Sequence, residues 1–127
     1  MHRFGLEDSK TVTSPMDSSV KLSEYTGQSV KKSRFPYREA VGCLNYLATV
    51  SRPDISYVVG TLARYSNNPH EVHWKAVKRV MQYLKYTSDV SLCFGNDTSN
   101  KLTGYCDSDY AGQLEERKST SGYVFLL

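Results

Sequence analysis

No stretch of this chain is apolar enough to cross a membrane. The longest uninterrupted runs, such as Tyr123 to Leu127, hold only a few residues, and a span needs roughly 20. The N-terminus, Met1 to Asp8, has no apolar h-region and turns acidic early, so no signal peptide can be read. Cysteine is scarce: Cys43, Cys93 and Cys106 are odd in number, far apart, and form no C-x-x-C. Neither a disulfide framework nor a zinc knuckle is indicated. Each cysteine lies in an apolar-periodic segment and is expected as a buried free thiol in a reducing compartment. The glycines form no G-x-G-x-x-G and no phosphate loop, and no serine sits in G-x-S-x-G. His70-Glu71-Val72-His73 spells H-E-x-H, one residue short of the zincin spacing. These histidines therefore read as polar residues of a helix N-terminus rather than as metal ligands. Charge of neither sign dominates: 16 basic and 13 acidic residues leave a net +3. That is far from a histone-like tail.

What is present fits a small domain or two incomplete pieces of larger ones, since the chain has 127 residues. With 39% apolar residues and a mean hydropathy of −0.49, a core is possible with part of the chain outside it. Ten tyrosines and four phenylalanines argue against wholesale disorder.

Residues 1–35 are dominated from Asp8 to Ser33 by Ser, Thr, Lys, Asp and Gly, with isolated apolar residues and no sustained period. They read as a disordered linker with a short docking segment at its start. The basic group Lys31, Lys32, Arg34 and Arg38 ends it, as a solvated junction or a phosphate contact.

Residues 36–86 read as three helices. Tyr37, Ala40, Val41, Leu44, Leu47 and Ala48 recur at helical spacing behind Pro36. Ser51-Arg52-Pro53-Asp54 supplies a serine cap, a first-turn proline and an acid for the second helix. That helix carries Ile55, Val58, Val59, Leu62 and Ala63 inward. Ser66 to Pro69 reads as a turn. The third helix carries Trp74, Val77, Val80, Met81 and Leu84 inward and presents Lys75, Lys78, Arg79, Gln82 and Lys85 on the other side. Cations one turn apart can follow a phosphate track, and the same pattern also describes an ordinary solvated face. Lys75, Lys78, Arg79 and Lys85 are the candidate nucleic-acid contacts.

After Tyr86 the period changes to alternation, predicting strands at Val90 to Phe94, Leu102 to Cys106 and Tyr123 to Leu127. The fold class is α+β, with residues 87–127 a short antiparallel β segment, or the chain holds the start of an α/β sheet. The apolar run at Leu127 has no closing turn, so the sequence reads as cut from a larger protein. Asp107-Ser108-Asp109, at the expected strand end, puts two carboxylates on one side. Carboxylates so placed can hold divalent metals, or simply terminate a strand. Asn96-Asp97-Thr98 fits a glycosylation sequon, and Glu115-Glu116-Arg117 spells E-E-R.

Five segments resemble copia-type retrotransposon Pol polyproteins. Tyr37 to Leu47 is similar to Y-R-x-x-V-G-x-L-x-Y-L, and Ser51 to Ile55 to T-R-P-D-I. Asn68-Pro69 with His73 to Arg79 matches N-P-x-x-x-H-W-x-A-V-K-R. Gly104 to Gly112 resembles G-Y-x-D-A-D-W-A-G, and Arg117 to Tyr123 matches R-K-S-T-S-G-Y. Arg3 to Pro15 also resembles the R-F-x-M…K-P-V-x-T-P stretch after the polymerase palm.

The resemblance implies that residues 1–86 follow the reverse transcriptase palm as thumb or connection helices. Residues from about Leu102 would open a ribonuclease H-like fold, here incomplete. Asp107 maps to the first ribonuclease H carboxylate, with Asp109 its motif neighbour. The family uses Mg²⁺. The polymerase motif Y-x-D-D would lie before Met1, the later carboxylates beyond Leu127, and Gln113 stands where the family usually has Asp. Asp107 and Asp109 are then vestigial, with no catalytic set, no cofactor and no metal. The expected function is that of a non-catalytic fragment that binds nucleic acid weakly, inside the cell in cytoplasm or nucleus.

The chain also resembles short copia-like reading frames classed as secreted RxLR-type effectors of downy-mildew pathogens. In that alternative it enters the host cell, including its nucleus, and binds host plant proteins to suppress defence or cell death. E-E-R supports that alternative, while R-x-L-R is absent.

Overall fold

A computed structural model describes residues 4–6, 9–17, 19, 20, 22, 35–92, 101–109 and 119–126. Among the described residues the fold is α+β, with three α-helices followed by a two-stranded antiparallel sheet. The chain divides into two compact units, Met1–Leu92 and Cys93–Leu127.

The first unit is built from α1 (Tyr37–Val50), α2 (Ser56–Ala63) and α3 (Glu71–Tyr86), with 3₁₀ turns at Pro53–Ile55 and Arg64–Asn67. Helical spacing puts Tyr37, Ala40, Val41, Leu44 and Ala48 of α1 in the core. Val58, Val59 and Leu62 of α2 and Trp74, Val77, Val80 and Met81 of α3 meet them there. Leu84, expected inward, is only partly buried. The described residues between 4 and 22 form no α-helix or strand. Even so, Leu6 and Leu22 are buried in the same core, and Phe4 and Met16 pack against it. Isolated anchors of this kind carry no periodicity that a sequence pattern could show.

Ser51 does not cap the second helix. It closes α1 instead, its N–H donating to Leu47 O at 3.0 Å. The turn that follows is held by Arg52, which is 8% exposed.

In the second unit β1 (Thr103–Asp109) pairs with β2 (Thr120–Leu126), with Asp107 opposite Gly122 and Asp109 opposite Thr120. Both strands are longer than the alternation alone indicates, because pairing carries polar residues such as Ser108 and Ser121 into the ladder. The first of the three expected strands does not form at residues 90–92. There the Val90 N–H donates to Thr87 O at 3.1 Å, closing a turn after α3. Cys93 and Phe94 lie outside the described residues. So do Lys31, Lys32, Arg34, Gln113, the sequon and the E-E-R triplet.

The expected burial of the cysteines is overturned for the two described ones, since Cys43 and Cys106 are exposed. Cys43 falls between the apolar positions Val41 and Leu44, on the solvent side of α1. Cys106 lies on a strand of the two-stranded ribbon, whose described residues are mostly exposed.

Candidate nucleic-acid surface and acidic strand

α3 starts at an unusual cap. The His70 N–H, left without a helical partner at the N-terminus, donates to Nδ1 of His73 at 2.8 Å. This is the returning half of a capping box, with imidazole in place of the usual Glu or Gln. A ring whose Nδ1 accepts carries its hydrogen on Nε2, and that nitrogen meets Leu22 O at 3.2 Å. Tyr65 stacks on the same ring with centroids 4.0 Å apart. His73 is 2% exposed, so the histidines are not merely polar helix-start residues. His73 joins the cap to the N-terminal segment. Trp74, next in sequence, is stacked by Phe35 at 5.3 Å and met edge-on by Phe4 at 6.5 Å.

Other motif residues are also committed to structure. The Tyr37 hydroxyl donates to Leu62 O at 2.8 Å, and burial pushes its pKa well up. Arg38 donates to Ser66 O and Asn67 Oδ1, both at 2.9 Å, tying α1 to the turn before α3. Arg52 grips Asp54 with two parallel bonds of 3.0 and 2.8 Å. It also reaches Thr87 O at 2.9 Å and Thr87 Oγ1 at 2.6 Å. The Tyr83 ring lies 5.6 Å from its guanidinium carbon, and the Tyr83 hydroxyl donates to Asp54 at 2.9 Å. The Arg52 hydrogen bonds hold the Asp54 carboxyl below its ordinary range, and Asp54 in turn raises Arg52 and Tyr83. Fork-shaped pairing of this kind offsets the desolvation of a mostly buried guanidinium.

The four candidate cations of α3 have different surroundings. Lys75 is exposed and pairs with Glu71 one turn earlier at 3.3 Å. Lys78 is half-buried at the rim of a cavity of about 380 Å³. The floor of this cavity includes Val58, Val72 and Ala76, and Met16 and Val20 line its N-terminal side. Arg79 donates to Ser14 O at 3.2 Å and lies 3.7 Å from Asp17. Lys85 donates to Ser9 O at 3.1 Å. The N-terminal segment thus lies along part of the basic face, a relation with no signal in sequence because its anchors are isolated and its acceptors are backbone carbonyls.

Asp107 is exposed on β1, and Asp109 follows two positions later in the same strand. Among the described residues no three His, Cys, Asp or Glu groups converge to hold a metal.

No protein-family model matches the chain, and no solved structure matches it. Curated proteins do. The chain is 38% identical over 130 residues to the retrovirus-related Pol polyprotein from transposon TNT 1-94 of Nicotiana tabacum, covering 98% of this chain and 10% of that protein. It is 38% identical over 125 residues to the retrovirus-related Pol polyprotein from transposon RE2 of Arabidopsis thaliana, covering 98% of this chain and 8% of that one. It is 47% identical over 92 residues to secreted RxLR effector protein 161 of Plasmopara viticola, covering 72% of this chain and 65% of that protein. The chain thus spans a small part of the transposon polyproteins it matches and under two thirds of the effector. Along nearly its whole length, the chain is a relative of one segment of the Pol polyproteins of copia-type retrotransposons.

Proposed function

We propose that these 127 residues correspond to the polyprotein segment that follows the reverse transcriptase palm and opens the ribonuclease H domain. On this reading residues 1–35 are a linker, 36–86 thumb or connection helices, and 87–127 the start of a ribonuclease H-like sheet. By themselves they carry out neither polymerisation nor nuclease chemistry. Their remaining activity is weak, salt-sensitive binding of nucleic acid through Lys75, Lys78, Arg79 and Lys85, inside the cell. Counterion release needs cations in a row and no catalytic centre.

The observation that supports the non-catalytic reading concerns Asp107, which belongs to no group of three metal-ligating side chains among the described residues. Two-metal hydrolysis needs several converging carboxylates, and no such cluster exists among the described residues. The test is cleavage of an RNA–DNA hybrid in Mg²⁺. The expected rate equals buffer background, and turnover that Asp107→Asn abolishes would refute the reading.

The effector relative favours a second reading, in which the chain is delivered into plant cells and acts on host proteins there. Export of the native N-terminus in a secretion trap and suppression of elicitor-triggered cell death in leaves would support it. Failure of both removes it.

A further inference from the structure

The N-terminal segment crosses α3 in a definite order. Ser9 O sits on Lys85, Ser14 O on Arg79, and Leu22 O on His73. The segment therefore runs against the direction of the helix, from its C-terminal turn to its N-terminal turn. Met16 and Leu22 hold it by apolar contact, and Asp17 adds a carboxylate beside Arg79. The acceptors it presents to the cations, carbonyl oxygens and one carboxylate, are the chemistry a phosphate backbone would present. Lys78 and Arg79 lie three and four residues after Lys75, and Lys85 lies seven after Lys78, which puts the four on one broad face.

We infer that this segment is a built-in competitor for the cationic face of α3, a strap that polyanion must lift to reach all four cations. The inference rests on the nucleic-acid reading above and adds its regulation. With the strap seated, Lys75 and Lys78 remain at the surface while Arg79 and Lys85 face the strap's oxygens. With the strap lifted, all four face outward. Apparent affinity is then the intrinsic affinity reduced by the fraction of molecules with the strap raised. Loosening the strap without changing charge should tighten binding and also steepen its salt dependence, because more cations meet phosphate.

The experiment uses the full chain, a fluorescently labelled RNA–DNA hybrid and anisotropy over a range of salt. Met16→Gly loosens the strap with no change of charge. Its binding is expected to be roughly tenfold tighter than that of the unaltered chain. Its log–log salt slope is expected to steepen by about one to two units. In the unaltered chain, backbone amides of residues 9–17 should exchange hydrogen faster when hybrid is bound. If Met16→Gly loses its helical circular dichroism, Val20→Ser at the cavity wall replaces it, since Val20 is 39% exposed and outside the core. Equal affinities and slopes with unchanged exchange would overturn the strap and leave nucleic-acid binding standing. Absence of binding by every variant would overturn both.

Discussion

Arg52 shows how much one side chain of the R-P-D-I stretch does. It joins the connection between α1 and α2 to the last turn of α3 through Asp54, Thr87 and Tyr83. Truncation in Arg52→Ala leaves Asp54 without its cationic partner, with the Tyr83 hydroxyl still donating to it, and removes one of the donors to Thr87 O. The expected loss is about 2–3 kcal/mol in urea unfolding. Arg52→Lys should recover only part of it, since an ammonium cannot grip both carboxylate oxygens. The same pair sets an acid limit. The folded chain holds the Asp54 proton less tightly than the unfolded chain, whose ordinary value is 3.8. Its contribution is therefore complete above that value and declines as pH falls through the lower folded one. The acid side of a stability-against-pH curve should flatten in Asp54→Asn.

Elements were legible where periodicity marks them and obscure where the partner is distant. Tyr37, Leu44, Val58, Leu62, Val77 and Val80 announced all three helices, and their cores formed at those positions. The helix starts were harder. A serine before a proline suggests a cap, but the chain uses Ser51 to end α1, and α3 is capped by an imidazole three residues in. The H-x-x-H interval is that of a capping box and could have been read so. The Leu22 carbonyl on the far side of His73 could not, because 51 residues separate the two. His73→Ala removes the cap, the Tyr65 stack and the contact to Leu22 together. An expected destabilisation of about 2 kcal/mol or more should lower the melting temperature, and faster amide exchange around Leu22 would mark the broken link. Unchanged exchange there would mean that the bond to Leu22 does not hold the N-terminal segment. Strand bounds were legible only in part, since alternation located Thr103 to Cys106 and Tyr123 to Leu126 but not the polar rungs added by pairing.

Over the whole molecule the two units differ in how they are covered. In the helical unit, the residues that carry the resemblance are largely spent on internal bonds: Tyr37, Arg38, Arg52, His73 and Trp74 each hold two segments together. Their chemistry would have suggested a site, and their geometry shows a scaffold. The candidate cations remain the part that sequence located by type while missing what lies across them. The β unit has the opposite character. Gly104 sits across from Phe125, whose ring covers the place a side chain would take, 2.9 Å from where its Cβ would lie. Yet Tyr105, Tyr123, Val124, Phe125 and Leu126 all stay exposed. Among the described residues the ribbon has two strands, and such a ribbon presents an outer row of backbone groups on each strand, ready to zip onto another chain. Concentrated solutions should therefore turn turbid while the helical circular dichroism is still intact, with cloudiness setting in later for Phe125→Lys. Storage life of the purified protein would thus be limited by its last few residues rather than by its melting temperature.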